Sequence, residues 1–405
     1  MYGFLQKGKT MKLSYKSTIA GCFIAHAVQA IIINFTPLLF VFFQDTYQIP
    51  LSQITLLLTV GFFVQLTTDI VWAKIADRMG YRTSMVIAHF AAAAGLLALT
   101  ILPEVMMPFA GMLISVSVYS VGAGIIEVLI NPIMESCPTD NKEKAMSLLH
   151  SFYCWGVVCA VLISTVFFRL AGIQNWRIMA CIWAALPLFN GVLFMKAPIA
   201  PLIAPGEKGM TLGQLIKDKT FWILVIMIIC AGASENGVVL WSSAFAERGL
   251  HIDKTLGDLA GPMAFAVVMG LTRIIHSKIG DKLNLDNLML GSTVLCVIAY
   301  LMITLVPSPI VNLIGCGVCG VSVALLWPGT VSKAAAAMRN GGTILFAMLA
   351  LAGDIGCSAG PTLVGMVSDA ANDNMKIGIL AGLIFPVTML LCMLFWKKKQ
   401  KKAKE

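Results

Sequence analysis

Along the chain, long apolar stretches alternate with short polar punctuation, and few apolar runs show the two-residue alternation of strands. About 20 apolar residues suffice to cross a bilayer as a helix. On that length the pattern predicts twelve helices, at 18–43, 53–76, 84–102, 107–134, 145–170, 177–195, 221–246, 257–279, 287–306, 309–335, 342–368 and 375–396. The fold class expected is an all-α membrane protein with twelve transmembrane helices.

Composition and charge agree with this pattern. Of the 405 residues 58% are hydrophobic and only 12% charged, and the mean hydropathy is +0.86, which leaves no material for a charged soluble surface. The net charge of +9 does not point to nucleic acid, because the basic residues lie between apolar runs and at the two ends, where they act as topology signals. An even number of spans puts both termini on one side. Apart from Arg169, Arg177, Arg248, Lys254 and Lys376, and Arg273 inside the membrane, the lysines and arginines then share that side, which makes it the cytoplasmic face of the cell membrane. The final KKKQKKAKE reads as a cytoplasmic tail lying against anionic headgroups. The first apolar run is too long for a signal-peptide core and is kept as a span. The eleven cysteines have no zinc or disulfide spacing, and Cys316 and Cys319, a CxxC pair, fall within a glycine-rich helix, so no metal or cofactor is expected.

The longest internal connection, Lys196 to Lys219, contains three prolines and divides the spans into six and six. Four segments follow: an N-terminal half at 1–195, a linker at 196–219, a C-terminal half at 220–396 and a basic tail at 397–405. A weak repeat crosses the divide. WAKIADRMG at 72–80 returns as HSKIGDKLN at 276–284, and the Gly124-to-Pro132 pattern returns as Gly320 to Pro328. Matching repeats in two six-helix halves are the trace of a duplicated transporter.

Polar residues inside the spans carry the candidate chemistry. On a helix, Gly124, Glu127 and Asn131 share one face, and Pro132 leaves the Val128 carbonyl without its donor beside them. A charge at bilayer depth costs about 2.5–3.5 kcal/mol on insertion scales, so Glu127 should face the bundle interior. Counted at about 1.5 Å per residue, Glu127 lies about 15 Å from the cytoplasmic end of its helix, and Asp69 and Arg273 about 12 Å from theirs. His150 and His26 share this layer. Equal depth in equivalent repeats suggests an Asp69–Arg273 pair between the second and eighth spans, serving as a gate or as a permanent tie. Glu127 and His150, on consecutive helices, are within reach of a hydrogen bond, and with Asp69 they are the candidates for carrying a proton. Asp77 and Arg78, in the loop after the second span, join Asp69 and Arg273 as candidate gating residues.

Substrate candidates cluster near midplane. The seventh span holds AGASENGVVLWSSAF, with Glu235, Asn236 and Trp241; the tenth repeats the proline kink as Trp327-Pro328; the eleventh places Asp354 in GDIGCSAGP; the first and fourth add Asn34 and Asn131. An aromatic face beside carboxylates and amides suits a polyol, whose hydroxyls they bond. Trp241 equally suits the outer membrane interface.

The loop A-K-I-A-D-R-M-G-Y-R-T resembles the signature of the major facilitator superfamily, matched at Asp77, Arg78, Gly80 and Arg82, with Ala73 where a glycine usually leads. G-A-G-I-I-E-V-L-I-N-P, G-A-S-E-N-G-V-V-L-W, T-R-I-I and W-P resemble the fucose permease-like sugar:proton symporters of that superfamily. The resemblance implies two six-helix halves in the major facilitator fold that rock about a central site. It makes Glu127 the proton- or sugar-linked acid, with Asn131, Glu235 and Trp241 in the cavity. The first span offers His26, Gln29 and Asn34 where proton-coupled members often have an aspartate. The function expected is therefore secondary active transport of a small polar solute, a sugar above others, coupled to protons, with sodium left open as the coupling ion. An organic-anion carrier using Arg273 is the alternative, and a drug:proton antiporter comes third. A receptor or scaffold has no need of this ionisable layer, and no catalytic nucleophile–base pair, phosphate loop or metal cluster suggests an enzyme. The expected partners are the solute and the bilayer, with no obligate protein partner.

Overall fold

The computed structural model describes residues 14–49, 51–200, 202, 209–244, 263–280, 283–372 and 374–402, and the described residues contain helices and no strand. In the first half, α1 (Tyr15–Phe35) passes through a 3-10 turn, Thr36–Leu39, into α2 (Phe40–Tyr47). Pro37 in this turn has no N–H to continue the ladder, so the expected single span bends here. Next come α3 (Leu51–Met79), α4 (Tyr81–Val105), α5 (Pro108–Ser136), α6 (Lys142–Ala171) and α7 (Trp176–Lys196). A short linker helix, α8 (Leu212–Leu215), opens with a Thr211–Gln214 capping box. The second half consists of α9 (Lys219–Ala244), α10 (Ala264–Ile279), α11 (Leu285–Leu305), α12 (Pro309–Val323), α13 (Leu326–Ala337), α14 (Gly342–Ala370), α15 (Met375–Ala381) and α16 (Ile384–Lys402).

Eleven stretches among the described residues are long and apolar enough to cross a membrane, counting α12–α13 as one and α15–α16 as one. The remaining expected span, 257–279, is described from residue 263 onward and appears as α10. Local sequence sets several helix starts. Pro108 and Pro309 occupy first-turn positions where a missing N–H costs nothing, and the Asn141 and Asn284 side chains accept from Lys144 N and Asn287 N at 3.0 and 3.1 Å.

Both described ends lie on one side of the bundle, here the terminal side. There Thr18 bonds the Pro198 carbonyl and Lys399 Nζ donates to Thr220 Oγ1 at 2.8 Å. Two pairs of helices join the halves in a symmetric way: α3 packs on α14, and α6 packs on α10. In span numbers these are second on eleventh and fifth on eighth, which the internal repeat exchanges. Within the second half α14 lies tightly along α9, because Gly356 and Gly360 face the carbonyls of Ile229 and Ala233 with no room for a side chain. Large apolar side chains such as Phe63, Leu170 and Met366 stay exposed on the outer surface, as lipid-facing positions should.

Candidate functional site

Glu127 is buried in the C-terminal half of α5, and its partner comes from α1: Gln29 Nε2 donates to Glu127 Oε2. The expected Glu127–His150 bond is not formed. His150 Nε2 instead meets Asn131 Oδ1 at 3.0 Å, because Asn131 lies one turn nearer the loop joining α5 to α6 and faces His150 directly. His26 donates from Nδ1 to the Leu149 carbonyl at 3.1 Å and packs edge-on against the His150 and Tyr153 rings. Tyr153 stands among Glu127, Glu235 and Asp354, within electrostatic reach of all three.

Arg273 of α10 is buried on α6 and the broken tenth span. Pro328 lacks an N–H and leaves the Ala324 carbonyl, four residues earlier, without a helical donor. Arg273 Nε supplies the missing donor at 2.8 Å, while Nη1 donates to the His150 carbonyl at 3.0 Å and approaches Cys154 Sγ at 2.9 Å. Glu235 of α9 completes the shell, its Oε2 at 3.7 Å from Nη2. The expected pairing of Arg273 with Asp69 is thus corrected. Residues equivalent under the repeat sit at equivalent interfaces, α6–α10 and α3–α14, so equal depth does not make them neighbours. Asp69 faces Asp354 of α14 instead.

Of the other expected substrate residues, Glu235, Asn236, Trp327 and Asp354 lie on the second half and Asn34 on the first. Glu235 keeps a side-chain exposure of 20% although it lies deep in the bundle, and Asn236 and Trp327 are half-buried. Asn236 reaches the Cys357 thiol, and the Trp327 ring fills the space left by Gly353. Asn34 donates to its own helix at the Ala30 carbonyl, 2.8 Å away. The Trp241 side chain lies outside the described residues.

On the terminal side, Thr343 of α14 donates to Asp77 Oδ1 at 2.6 Å and meets the Tyr81 hydroxyl, so one hydroxyl of the second half binds two groups of the first. Arg78 is exposed next to this latch. Buried Lys333 pairs with Asp286 and lies over the Trp396 ring, with Glu143 across a cleft of about 280 Å³. Sequence reasoning did not single out Gln29, Tyr153, Tyr81 or Thr343 as site residues. Gln29 alone left a signal, as a polar residue one turn from His26 on an apolar helix. Among the described residues no group of three or more His, Cys, Asp or Glu is arranged to hold a metal ion.

Comparison with known proteins decides the family. The sequence profile of the Major Facilitator Superfamily matches residues 20–361. The chain belongs to that superfamily. It is a multi-pass membrane protein of a family of small-solute transporters. No curated protein matches it in sequence. Among solved structures it resembles the superfamily transporter FucP in the outward conformation, with a TM-score of 0.79 and 14% identity, over 94% of this chain and 99% of that one. The E. coli fucose:proton symporter FucP in another structure gives 0.77 and 16%, again over 94% and 99%. The proton:xylose symporter XylE bound to 6-bromo-6-deoxy-D-glucose gives 0.74 and 13%, over 95% of both chains. At these identities the likeness establishes the fold.

Proposed function

We propose that this superfamily member carries a neutral polyhydroxylated solute, a sugar, by proton-coupled symport, with the halves at 1–195 and 220–396 rocking about the site between α1, α5, α9 and the α12–α13 break. The observation that carries the reading is Glu127 held by Gln29 in the first half, with the partly exposed Glu235, Asn236 and Trp327 on the second. An acid buried at this depth holds a proton readily, and amide, carboxylate and indole together fit hydroxyls and the apolar face of a ring. Arg273 weighs against the organic-anion alternative, since its guanidinium is engaged by two carbonyls, a thiol and Glu235. The distribution of Lys and Arg supports a cytoplasmic terminal side.

The test is uptake by proteoliposomes under an inward proton gradient, using a solute chosen by thermal shift from hexoses, deoxyhexoses and small carboxylates at about pH 6 and about pH 7.5. A neutral sugar should stabilise the protein, more at the lower pH. Glu127→Gln should lose accumulation against the gradient while keeping exchange. Full accumulation by that variant removes Glu127 from the coupling, and stabilisation by carboxylates alone moves the substrate to the anion class.

A further inference from the structure

Two buried acids have no place in that reading. Asp69 of α3 is fully buried, and Gly124 of α5 makes the room, since a Cβ there would stand 3.0 Å from Asp69 Oδ1. Asp354 of α14 faces it across the interface between the halves and has Gln65 of α3 as a polar neighbour. Among the described residues, no N–H or O–H donates a hydrogen bond to either Asp69 oxygen or to Asp354 Oδ2. Gln29 Oε1, buried on the amide that holds Glu127, lacks a donor as well. The cluster is therefore rich in acceptors and short of hydrogens.

Among the described residues no cation makes up the shortage. The charged group that acts on both acids is Glu127 of α5, another carboxylate. Tyr153 of α6, Cys357 of α14 and Glu235 of α9 stand around the cluster and add only neutral or acidic groups, and α2, α4 and α15 bring no charge to bear on the pair among the described residues. Arg273 is held at the other interface, and Asp77, two turns along α3, is bound by Thr343. Two carboxylates only accept hydrogen bonds, so a proton on one of them is the simplest group that can join them, and two ionised acids would repel at short range inside the protein.

We propose that Asp69 and Asp354 bind one shared proton across the two halves, and that this proton belongs to the state in which the terminal side is closed. When the second and eleventh spans part, water reaches both acids and the proton leaves toward the terminal side. Closure requires its recapture. The site is a second protonation site besides Glu127; it rests on the rocking motion proposed above but not on Glu127 as the coupling acid. Its occupancy, and with it the closed form, should fall as pH rises.

The test follows the distance between the halves on the terminal side in the full-length protein in lipid nanodiscs. Spin labels are placed at Asp140→Cys and Arg339→Cys, both exposed on that side, with exposed Cys159 and Cys181 replaced by serine. Pulsed electron–electron distances are recorded from about pH 5.5 to about pH 8.5. The long-distance population should grow with pH in the parent protein. In Asp69→Asn and in Asp354→Asn the short distance should persist throughout, because an amide supplies a permanent donor in place of the proton. Glu127→Gln should still open as pH rises, with its midpoint moved because a neighbouring carboxylate is gone, even where it abolishes coupled uptake, so failure of the coupling assignment reads out separately. A parent distance that ignores pH overturns the proposal, as do amide variants that follow the parent's profile. A shift produced at constant pH by exchanging choline for sodium also overturns it, by making the ligand a metal cation.

Discussion

At the contact of the fifth and eighth spans a single cation, Arg273, donates to the Ala324 and His150 carbonyls and faces Glu235; at the equivalent contact of the second and eleventh spans two acids face each other with three oxygens lacking donors. The two interfaces are equivalent under the weak internal repeat, yet only one is electrostatically complete. The arginine keeps its charge at every ordinary pH, whereas a pair of carboxyls changes its interaction with every proton gained or lost. The difference teaches that the two halves are joined by a fixed contact on one flank and by a contact sensitive to pH on the other.

The most damaging way to break this comparison is to remove the cation. Arg273→Gln leaves two buried carbonyls and the Glu235 carboxylate short of donors, and a broken buried pair of this kind costs about 3–5 kcal/mol. The expected outcome is a large fall in the thermal midpoint of the purified protein, only partly recovered by Arg273→Lys, which restores charge but not the planar fork. Next in size is Gly356→Val. Its side chain meets the Ile229 carbonyl, a backbone group that cannot rotate away, so overpacking of about 1–3 kcal/mol should prise α14 from α9 and blur the α3–α14 contact. A lower thermal midpoint and broadened inter-half distances check it.

Smaller effects sharpen the contrast. Tyr81→Phe removes the bond to Thr343 while leaving Thr343 to donate to Asp77, a loss of about 0.5–1.5 kcal/mol. The spin-label distances should then show more of the open form on the terminal side, with the pH dependence unchanged in shape. Arg177→Gln is the control for a cation in water. Its ion pair with Glu104 is about half exposed, so its loss should shift stability by no more than about 1 kcal/mol, against the collapse expected at Arg273.

Much of this architecture is legible in the order of apolar and polar residues. Span lengths and the break beside Pro328 need no tertiary information, because a segment long enough to cross a bilayer must satisfy its own backbone as a helix, whereas Pro132, expected to open its ladder, lies inside a continuous α5. Glu127 could be placed in the interior for the same reason, since the cost of a charge in lipid leaves few alternatives. Depth could be counted as well, and His26, Asp69, Glu127, His150 and Arg273 do fall in buried positions of the bundle. Depth fixes one coordinate of three, however, and says nothing about which helices touch.

Neighbours were decided by the packing of the two halves. Glu127 went to Gln29 because α1 lies against α5, and His150 to Asn131 because α5 touches α6. Asp69 met Asp354, and Arg273 met Glu235 and the Ala324 carbonyl, because the repeat sends equivalent residues to opposite flanks. The sequence by itself determined which groups must be kept out of lipid and how deep they lie, through the energetics of transfer into hydrocarbon. Only the tertiary structure decided which of them face one another, because partner choice among buried polar groups depends on helix adjacency and rotation, which no periodicity along the chain records.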